Sequence, residues 1–254
     1  MSTTIVIPAY NEEKRIGVTL DDYCGYFSHL SQGDVEIFVV LNGCMDNTLG
    51  IVQQFAKKYP FLTYVNIPQA IGKGGAVLEG FRRAKGDYVG YADADDATRA
   101  QSYHELIKRI GDADGIIASR WMKEAVVEPK QPFSRRFASR AFNLLIRILF
   151  GLHYHDTQCG CKLFRRKAVQ RILPSLGMTR WAFDVDLLYH LKRHGYRVKE
   201  IPTVWRDRVG SSIHVPKVSL EMLLAIIRLR LLYSPFRFLV GIYNKMAAAL
   251  GITF

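Results

Sequence analysis

Short apolar runs alternate with longer amphipathic segments along the first half of the chain. Runs rich in β-branched residues have the length and composition of buried strands, at residues 3–8, 35–41, 61–67, 88–92 and 115–119. The segments between them carry the periodicity of helices, at residues 11–30, 45–59, 72–85 and 99–110. Such regular alternation predicts an α/β fold, a mostly parallel sheet flanked by helices on both faces.

Polar residues follow the carboxyl ends of these predicted strands, at 8–12, 42–46, 72–75 and 93–96. In an open parallel sheet these ends meet at the ligand crevice. The fourth strand stops at Asp93, Asp95 and Asp96, three carboxylates that repel one another. A divalent cation would offset this repulsion and hold a phosphate-bearing substrate. An Asp-x-Asp alone is better explained by a solvated acidic turn before the next helix, because short acidic motifs recur by chance.

The glycine-rich segment 72–75 opens a predicted helix and contains Lys73. Its spacing matches neither the Walker loop nor the dinucleotide-binding signature. A helix start that carries a lysine can present backbone N–H groups and a cation to a phosphate. The alternative is an ordinary flexible loop.

Basic residues without any acid distinguish residues 129–155. On a helix, one side would carry Arg136, Arg140, Asn143 and Arg147, and another Phe137, Ala141, Leu144, Leu145 and Ile148. Such a helix either packs on the core or lies at a membrane or lipid phosphate, and the missing acids favour the second hypothesis. Residues 216–254 repeat the pattern, with predicted helices at 218–233 and after Pro235. We therefore expect one domain, residues 1–212, with C-terminal amphipathic helices, residues 213–254, in the same structural unit.

Two further clusters contain candidate functional groups. Residues 153–161 contain two histidines and two cysteines, at spacings narrower than those of ordinary structural zinc sites. Residues 181–188 begin a predicted helix with Asp184 and Asp186 in its first turn. Compensation of the helix dipole explains these acids as well as an active-site role does.

The net charge of +12 implies an anionic partner: a nucleic acid, a phosphorylated small molecule or an acidic membrane. No zinc-finger or RNA-recognition signature accompanies the charge, so no nucleic-acid partner is expected. Four cysteines in a chain of this length give no disulfide framework, and no charged-then-apolar leader opens the sequence. We expect a cytoplasmic protein that is peripheral on a membrane.

Several motifs together resemble the family 2 glycosyltransferases of the GT-A (Rossmann-like) fold, and within them the dolichyl-phosphate β-glucosyltransferases and their prokaryotic polyprenyl-phosphate relatives. The resemblance covers about residues 3–212 and lies in segments 6–12, 72–76, 92–98, 156–164 and 181–188. Pro-x-Tyr-Asn-Glu and Asp-x-Asp are shared by the whole superfamily. Asp-Thr-Gln-Cys-Gly followed by Trp-Ala-Phe-Asp-Val is much more specific.

The resemblance implies inverting, metal-dependent transfer of a hexose, glucose from UDP-glucose, to a polyprenyl or dolichyl phosphate at the cytoplasmic membrane face. Asp95, supported by Asp93, is expected to hold Mg2+ or Mn2+, and Asp156 is the candidate base or orienting acid. The resemblance assigns contacts with the donor to Pro8, Ala9, Tyr10, Glu12, Asn42, Lys73 and Asp93. It assigns the acceptor phosphate to Arg120, Arg135 and Ser139, with the isoprenoid along the apolar sides of residues 137–150 and 220–232.

Two positions depart from the family pattern. The second strand commonly ends in an aspartate that contacts uracil, whereas this chain has Asn42, whose carbonyl can still accept from the base. The mannosyl-transferring relatives usually carry Gln where this chain has Ala97, which favours glucose. The alternatives are a GDP-mannose-dependent dolichyl-phosphate mannosyltransferase and a soluble family 2 enzyme with a saccharide acceptor. The latter would need a carboxylate base, because a sugar hydroxyl is a poor nucleophile.

Overall fold

The computed structural model describes residues 2–30, 34–129, 133–177, 180, 182–206 and 215–249, without the side chains of 133–135 and 215–219. The strands are β1 Thr3–Ala9, β2 Val35–Asn42, β3 Leu62–Ile67, β4 Tyr88–Ala92, β5 Gly115–Ser119, β6 Val126–Glu128, β7 Cys161–Arg165, β8 Val198–Pro202 and β9 Val204–Arg206. The helices are α1 Ile16–Leu30, α2 Thr48–Lys58, α3 Gly72–Arg83, α4 Ala100–Arg109, α5 Phe133–Phe150, α6 Arg166–Ile172, α7 Phe183–Arg193, α8 Val215–Leu232 and α9 Val240–Ala249.

Seven strands form the central sheet, in the order β3-β2-β1-β4-β7-β5-β8. All neighbours run parallel except β7, which is antiparallel to both β4 and β5. The predicted α/β fold with a mostly parallel sheet is confirmed. A small second sheet pairs β6 with β9.

Helices bury both faces of the central part of the sheet, which explains why β1, β2, β4 and β5 are largely apolar. Val6 packs into one core cluster with residues of α3, α6 and α7. Ile5 and Ile7, its neighbours on β1, pack into the other cluster with residues of α1 and α4. Ile5, Val6, Ile7 and Ala9 are all buried, and this packing holds the carboxyl end of β1 in place.

Strand β7 brings a distant segment to the end of β4. Because the two strands are antiparallel, β7 begins where β4 ends, with Cys161 opposite Ala92. The backbone N–H of Asp93 donates to the carbonyl of Gly160 at 3.1 Å. The Asp-x-Asp segment and the Asp-Thr-Gln-Cys-Gly segment therefore lie side by side.

Helices occupy the segments predicted to be amphipathic, as α5, α8 and α9, and α5 packs against α8. The apolar side of α5 points outward, with Phe137 67%, Leu144 57% and Ile148 72% exposed. Of its polar side, Asn143 and Arg147 face the protein, where both donate to the carbonyl of Tyr154, whereas Arg136 and Arg140 are exposed. Across the described ranges no helix is both long enough and apolar enough to cross a membrane.

A buried polar network fastens α7 to the end of α8. Tyr233 donates to Asp186 Oδ1 at 2.7 Å, and the Tyr233 hydroxyl lies 2.8 Å from His190 Nε2. Since the only proton of that hydroxyl is given to Asp186, His190 Nε2 must carry a proton and donate to Tyr233. The other ring nitrogen, Nδ1, is buried without a hydrogen-bond partner among the described residues. Asp186 thus serves the packing of α8.

This network predicts an acid-sensitive stability. Burial, with His194 and Arg193 nearby, lowers the pKa of His190 from 6.5 to about 4. Below pH 6.5 His190 binds a proton in the unfolded chain but not in the folded chain. The contribution of His190 to the free energy of unfolding is therefore fully present above this pH and is lost as the pH falls towards 4. Denaturant unfolding is expected to show a loss of about 2 kcal/mol between pH ~7.5 and pH ~5. His190→Gln should reduce that loss, and an unchanged pH dependence in this variant would contradict the assignment.

Candidate active site

A cavity of about 570 Å3 opens at the carboxyl ends of β1, β2 and β4. Eight of the residues predicted to bind donor or metal line it: Pro8, Ala9, Tyr10, Glu12, Asn42, Lys73, Asp93 and Asp95. The lining is completed by Ala70, Gly72, Ala94, Gln158, Arg180, Phe183, Asp184 and Met222. The strand ends therefore converge as the parallel topology predicts. The residues Arg180 and Met222 carried no signal in the sequence and reach the cavity from the segment before α7 and from α8.

Lys73 and Asp93 form an ion pair within the cavity. Lys73 lies in the first turn of α3, and its Nζ is 2.5 Å from Asp93 Oδ1. Burial raises the pKa of Asp93, although the Lys73 ammonium opposes this effect. Burial alone would lower the pKa of Lys73, but Asp93 and Asp184 together raise it above its ordinary value. Lys73 is therefore a cation at the N-terminus of helix α3.

Asp95 presents a second carboxylate to the cavity. Its Oδ1 accepts from the backbone N–H of Ala97 at 3.0 Å, which fixes the turn after β4. Among the described residues no three His, Cys, Asp or Glu side chains are grouped closely enough to hold a metal by themselves. Two carboxylates next to an open cavity nevertheless fit Mg2+ or Mn2+, because such ions commonly take one or two carboxylates and complete their shell with water and substrate phosphates.

The turn after β1 is held by Asn11, which adopts a left-handed backbone conformation with φ 53°. Asparagine tolerates this conformation better than most residues. Its Oδ1 accepts from the N–H of Met45 at 2.8 Å, and Glu12 N donates to Thr48 Oγ1 at 2.8 Å. Because of this turn α1 begins at Ile16, later than the predicted start at residue 11. Burial raises the pKa of Glu12, against the effect of its partner Arg15.

Asn42 is buried at the end of β2, with 4% exposure. Its Oδ1 accepts from the N–H of Ile71 at 2.6 Å. Since a backbone N–H can only donate, the oxygen must be the atom that faces Ile71. The side-chain amide Nδ2, a donor, is the group left for a ligand. A base would therefore meet a donor here, where an accepting carbonyl was expected.

A buried lysine supports the floor of the cavity. Lys162 of β7 is fully buried and donates to Asp184 Oδ1 at 2.5 Å and to the carbonyl of Cys159 at 2.6 Å. Tyr91 also donates to Asp184 Oδ1. Burial would raise the pKa of Asp184, but Lys162 and Lys73 hold it below its ordinary value. Of the two acids in the first turn of α7, the one at 184 thus lies in the cavity as an ionised carboxylate.

Asp156 and Arg120 form a bidentate, largely buried ion pair. Arg120 Nε is 2.7 Å from Asp156 Oδ2, and Nη2 is 3.0 Å from Oδ1. Burial would raise the pKa of Asp156, yet the Arg120 guanidinium keeps it below its ordinary value. Both oxygens of Asp156 are occupied by the arginine. The guanidinium also lies over the ring of Trp205, 5.3 Å from its centre.

The remaining predicted site residues lie on α5 and in residues 153–161. Ser139 is half-buried on α5, one turn after Arg135, and the side chains of Arg135 and Trp181 lie outside the described residues. Residues 153–161 are all described and form no metal-holding group. Burial raises the pKa of Cys159 to about 12, so this thiol stays protonated.

Gly160 lies directly against the side chain of Asp93, so a larger residue at this position is expected to disturb the site. A Cβ at this position would overlap Asp93 Oδ2, and its three nearest atoms all belong to the Asp93 side chain. Gly160→Ala is expected to keep the fold, because a side chain can yield, but to push Asp93 away from Lys73. Turnover should fall about tenfold to a hundredfold with a nearly unchanged melting temperature. Gly177→Ala is the matched control, because a Cβ at this position would have no atom of the described residues, apart from its chain neighbours, within 4 Å. Equal activity of the two variants would contradict the packing argument.

The chain is similar to known proteins over most of its length. The model for Glycosyl transferase family 2 matches residues 4–173. Dolichyl-phosphate beta-glucosyltransferase ALG5C of Trichomonas vaginalis is 36% identical over 83% of this chain and 65% of its own length. The dolichyl-phosphate beta-glucosyltransferase of Dictyostelium discoideum is 31% identical over 95% of this chain and 76% of its own length. The human enzyme of the same name is 32% identical over 83% and 69%. The chain thus spans just under two thirds of the first relative.

Solved structures show the same fold at low identity. Glucosyl-3-phosphoglycerate synthase from Mycobacterium tuberculosis, in complex with Mn2+, UDP and glucosyl-3-phosphoglycerate, has a TM-score of 0.66 at 18% identity, covering 89% of this chain and 78% of that chain. Mannosyl-3-phosphoglycerate synthase from Rubrobacter xylanophilus has a TM-score of 0.69 at 17% identity, covering 91% and 74%. The family model, the curated relatives and the cavity agree, and the chain belongs to glycosyltransferase family 2.

Proposed function

We propose that this protein transfers glucose from UDP-glucose to a dolichyl or other polyprenyl phosphate, with inversion at the anomeric carbon. The observation that carries the proposal is the group of Asp93, Asp95 and Lys73 in one cavity at the ends of parallel strands. The curated relatives, which are named for glucosyl transfer to dolichyl phosphate, support the choice of substrates.

On the donor side, the protein binds and orients a nucleoside diphosphate sugar. Pro8, Ala9 and Tyr10 line the part of the cavity at β1, and Tyr10 is 53% exposed and available to a base. Asn42 offers its amide donor to a base carbonyl. Lys73, at the start of α3, offers its charge and the N–H groups of the helix end to the diphosphate. The Asp184 carboxylate, held by Lys162, is positioned to accept from sugar hydroxyls.

The leaving diphosphate gains negative charge as the sugar departs. A bound Mg2+ or Mn2+ would neutralise this charge as a Lewis acid. Asp95 and Asp93 are the residues that would hold the ion, and Lys73 adds a second positive charge at the same place. The chain thus supplies carboxylates for the cation and a cation for the phosphate.

On the acceptor side, the nucleophile requires orientation more than activation. A phosphate monoester is mostly dianionic at neutral pH, so a strong general base is dispensable. Asp156 is engaged by Arg120 through both oxygens, which suits an orienting acid and disfavours a base. In this proposal Asp156 aims Arg120 at the lipid phosphate, and Arg135 and Ser139 complete the phosphate site from α5.

The exposed apolar side chains near the C-terminal helices support a peripheral attachment to a membrane. Besides the outer side of α5, the segment after α8 exposes apolar side chains, with Phe238 at 72% and Met246 at 66%. Arg140 on α5 and Lys245 on α9 are exposed beside them. Anionic lipids of a cytoplasmic leaflet attract such a surface, and its apolar side chains would enter the interface. We place the enzyme there, on the cytoplasmic face.

A donor screen tests this proposal. Purified protein is incubated with radiolabelled UDP-glucose, UDP-galactose, UDP-N-acetylglucosamine or GDP-mannose and with dolichyl phosphate in detergent. The organic-extractable product should be largest with UDP-glucose and should disappear in excess EDTA. Preference for GDP-mannose would establish the mannosyl alternative, and a product found only on a soluble saccharide would refute the lipid acceptor.

A further inference from the structure

Glu200 of β8 binds the segment that carries Asp156, although it lines no part of the cavity. Its Oε1 accepts from the backbone N–H of Asp156 at 2.7 Å. Its Oε2 accepts from the backbone N–H of His155 at 2.9 Å and lies 2.8 Å from His155 Nδ1. The side chain of Glu200 is only 9% exposed. One carboxylate therefore holds two successive peptide groups.

The same segment is held from its other side by α5. Asn143 Nδ2 donates to the carbonyls of Tyr154, at 2.9 Å, and His155, at 2.6 Å. Arg147 donates twice more to the carbonyl of Tyr154. Carbonyls are thus fixed by donors from α5, and N–H groups by an acceptor from β8. The backbone that carries the Asp156 side chain is thus held from two sides, and the Asp156 carboxylate pairs with Arg120.

We propose that Glu200 is a positioning residue for the acceptor phosphate, acting through Asp156 on the guanidinium of Arg120. The inference rests on the proposed function, in which Arg120 meets that phosphate. Strand β9 also helps to position Arg120, because the ring of its Trp205 lies under the Arg120 guanidinium. Strands β8 and β9 thereby become part of the acceptor site, while the donor site lies at β1, β2 and β4.

The proposed role of Glu200 requires a carboxylate, so a side chain of the same size without that charge should not replace it. A glutamine of the same shape has one accepting oxygen, and its amide group would bring N–H hydrogens against a backbone N–H. Glu200→Gln is therefore expected to turn the segment of His155 and Asp156, and with it Arg120. Glu200→Asp keeps two accepting oxygens on a shorter stem and should have an intermediate effect.

Steady-state kinetics with geranylgeranyl monophosphate and UDP-glucose test the proposal. Glu200→Gln should raise KM for the lipid phosphate about tenfold or more, with KM for UDP-glucose changed less than about twofold. Glu36→Gln is the matched control, since Glu36 on β2 also bridges two partners, Thr4 and Thr63, far from β8 in the strand order. Both kinetic constants should be unchanged in this control, and melting temperatures report any general loss of stability.

A double-variant comparison separates positioning from a merely structural role. In an Arg120→Lys background, Glu200→Gln should add less than about twofold to the lipid-phosphate KM, because the two residues act in one chain of contacts. Full additivity, or equal losses towards donor and acceptor, would overturn the inference while leaving the proposed function intact. A wild-type protein that fails to use the lipid phosphate at all would instead overturn the proposed function.

Discussion

Asp95→Asn is expected to lower turnover by at least about a thousandfold while leaving the fold intact. The substitution preserves the oxygen that accepts from Ala97 but removes the charge that a divalent cation needs. Several kcal/mol of stabilisation of the departing diphosphate would be lost with that charge. Activity is measured as lipid-linked product at saturating UDP-glucose, with Mn2+ varied.

The same variant has a readout besides activity. Binding of Mn2+ in the presence of UDP, followed by electron paramagnetic resonance, should weaken in Asp95→Asn by about tenfold or more. Asp21→Asn, at an exposed acid on α1, is the control and should bind Mn2+ like the wild type. Normal turnover of Asp95→Asn would show that this carboxylate is dispensable and that Asp93 or another group carries the role.

The largest effect on stability is expected at Lys162. Lys162→Met leaves the shape of the side chain nearly unchanged but deprives the buried Asp184 of its charged partner. Breaking a buried ion pair by removing one partner costs about 3–5 kcal/mol. Chemical denaturation should show this loss as a lower midpoint with a similar dependence on denaturant concentration.

A second substitution tests whether the unpaired charge is the cause. Lys162→Met combined with Asp184→Asn removes both charges, and the carbonyl oxygen of the introduced amide can still accept from Tyr91. The double variant should recover most of the stability lost by Lys162→Met, although its activity stays low because Asp184 lines the cavity. A double variant as unstable as the single one would mean that lost packing, and not the stranded carboxylate, explains the effect.

The parts of this fold that the sequence predicts are those in which local pattern and burial agree. Strands β1, β2, β4 and β5 are largely apolar runs buried on both faces, so a run such as residues 35–41 can be recognised from the sequence. Strand β7 cannot, because its sequence contains Lys162 and Arg165. The lysine is buried only because Asp184, on a distant helix, provides its countercharge. No local periodicity contains that information.

In the candidate site, too, the sequence predicts some residues, whereas other contacts are known only from the structure. Asp93, Asp95 and Lys73 were accessible to sequence reasoning because they follow strand ends, whose location in a parallel sheet is known in advance. The pairing of Arg120 with Asp156, and of Asp156 with Glu200, joins β5, the loop before β7 and β8. Which groups face each other there depends on the antiparallel course of β7 between two parallel strands. The rotation of the Asn42 amide likewise depends on Ile71, at the start of α3.

The central claim is that Asp95 and Asp93 hold a divalent ion against a nucleoside diphosphate in this cavity. Crystals soaked with MnCl2 and UDP, with diffraction recorded at the manganese absorption edge, test it most directly. We expect one anomalous peak within coordination distance of an Asp95 oxygen, with the UDP phosphates beside the peak and Lys73. UDP bound in the cavity with no manganese at Asp93 or Asp95, or manganese bound elsewhere, would contradict it.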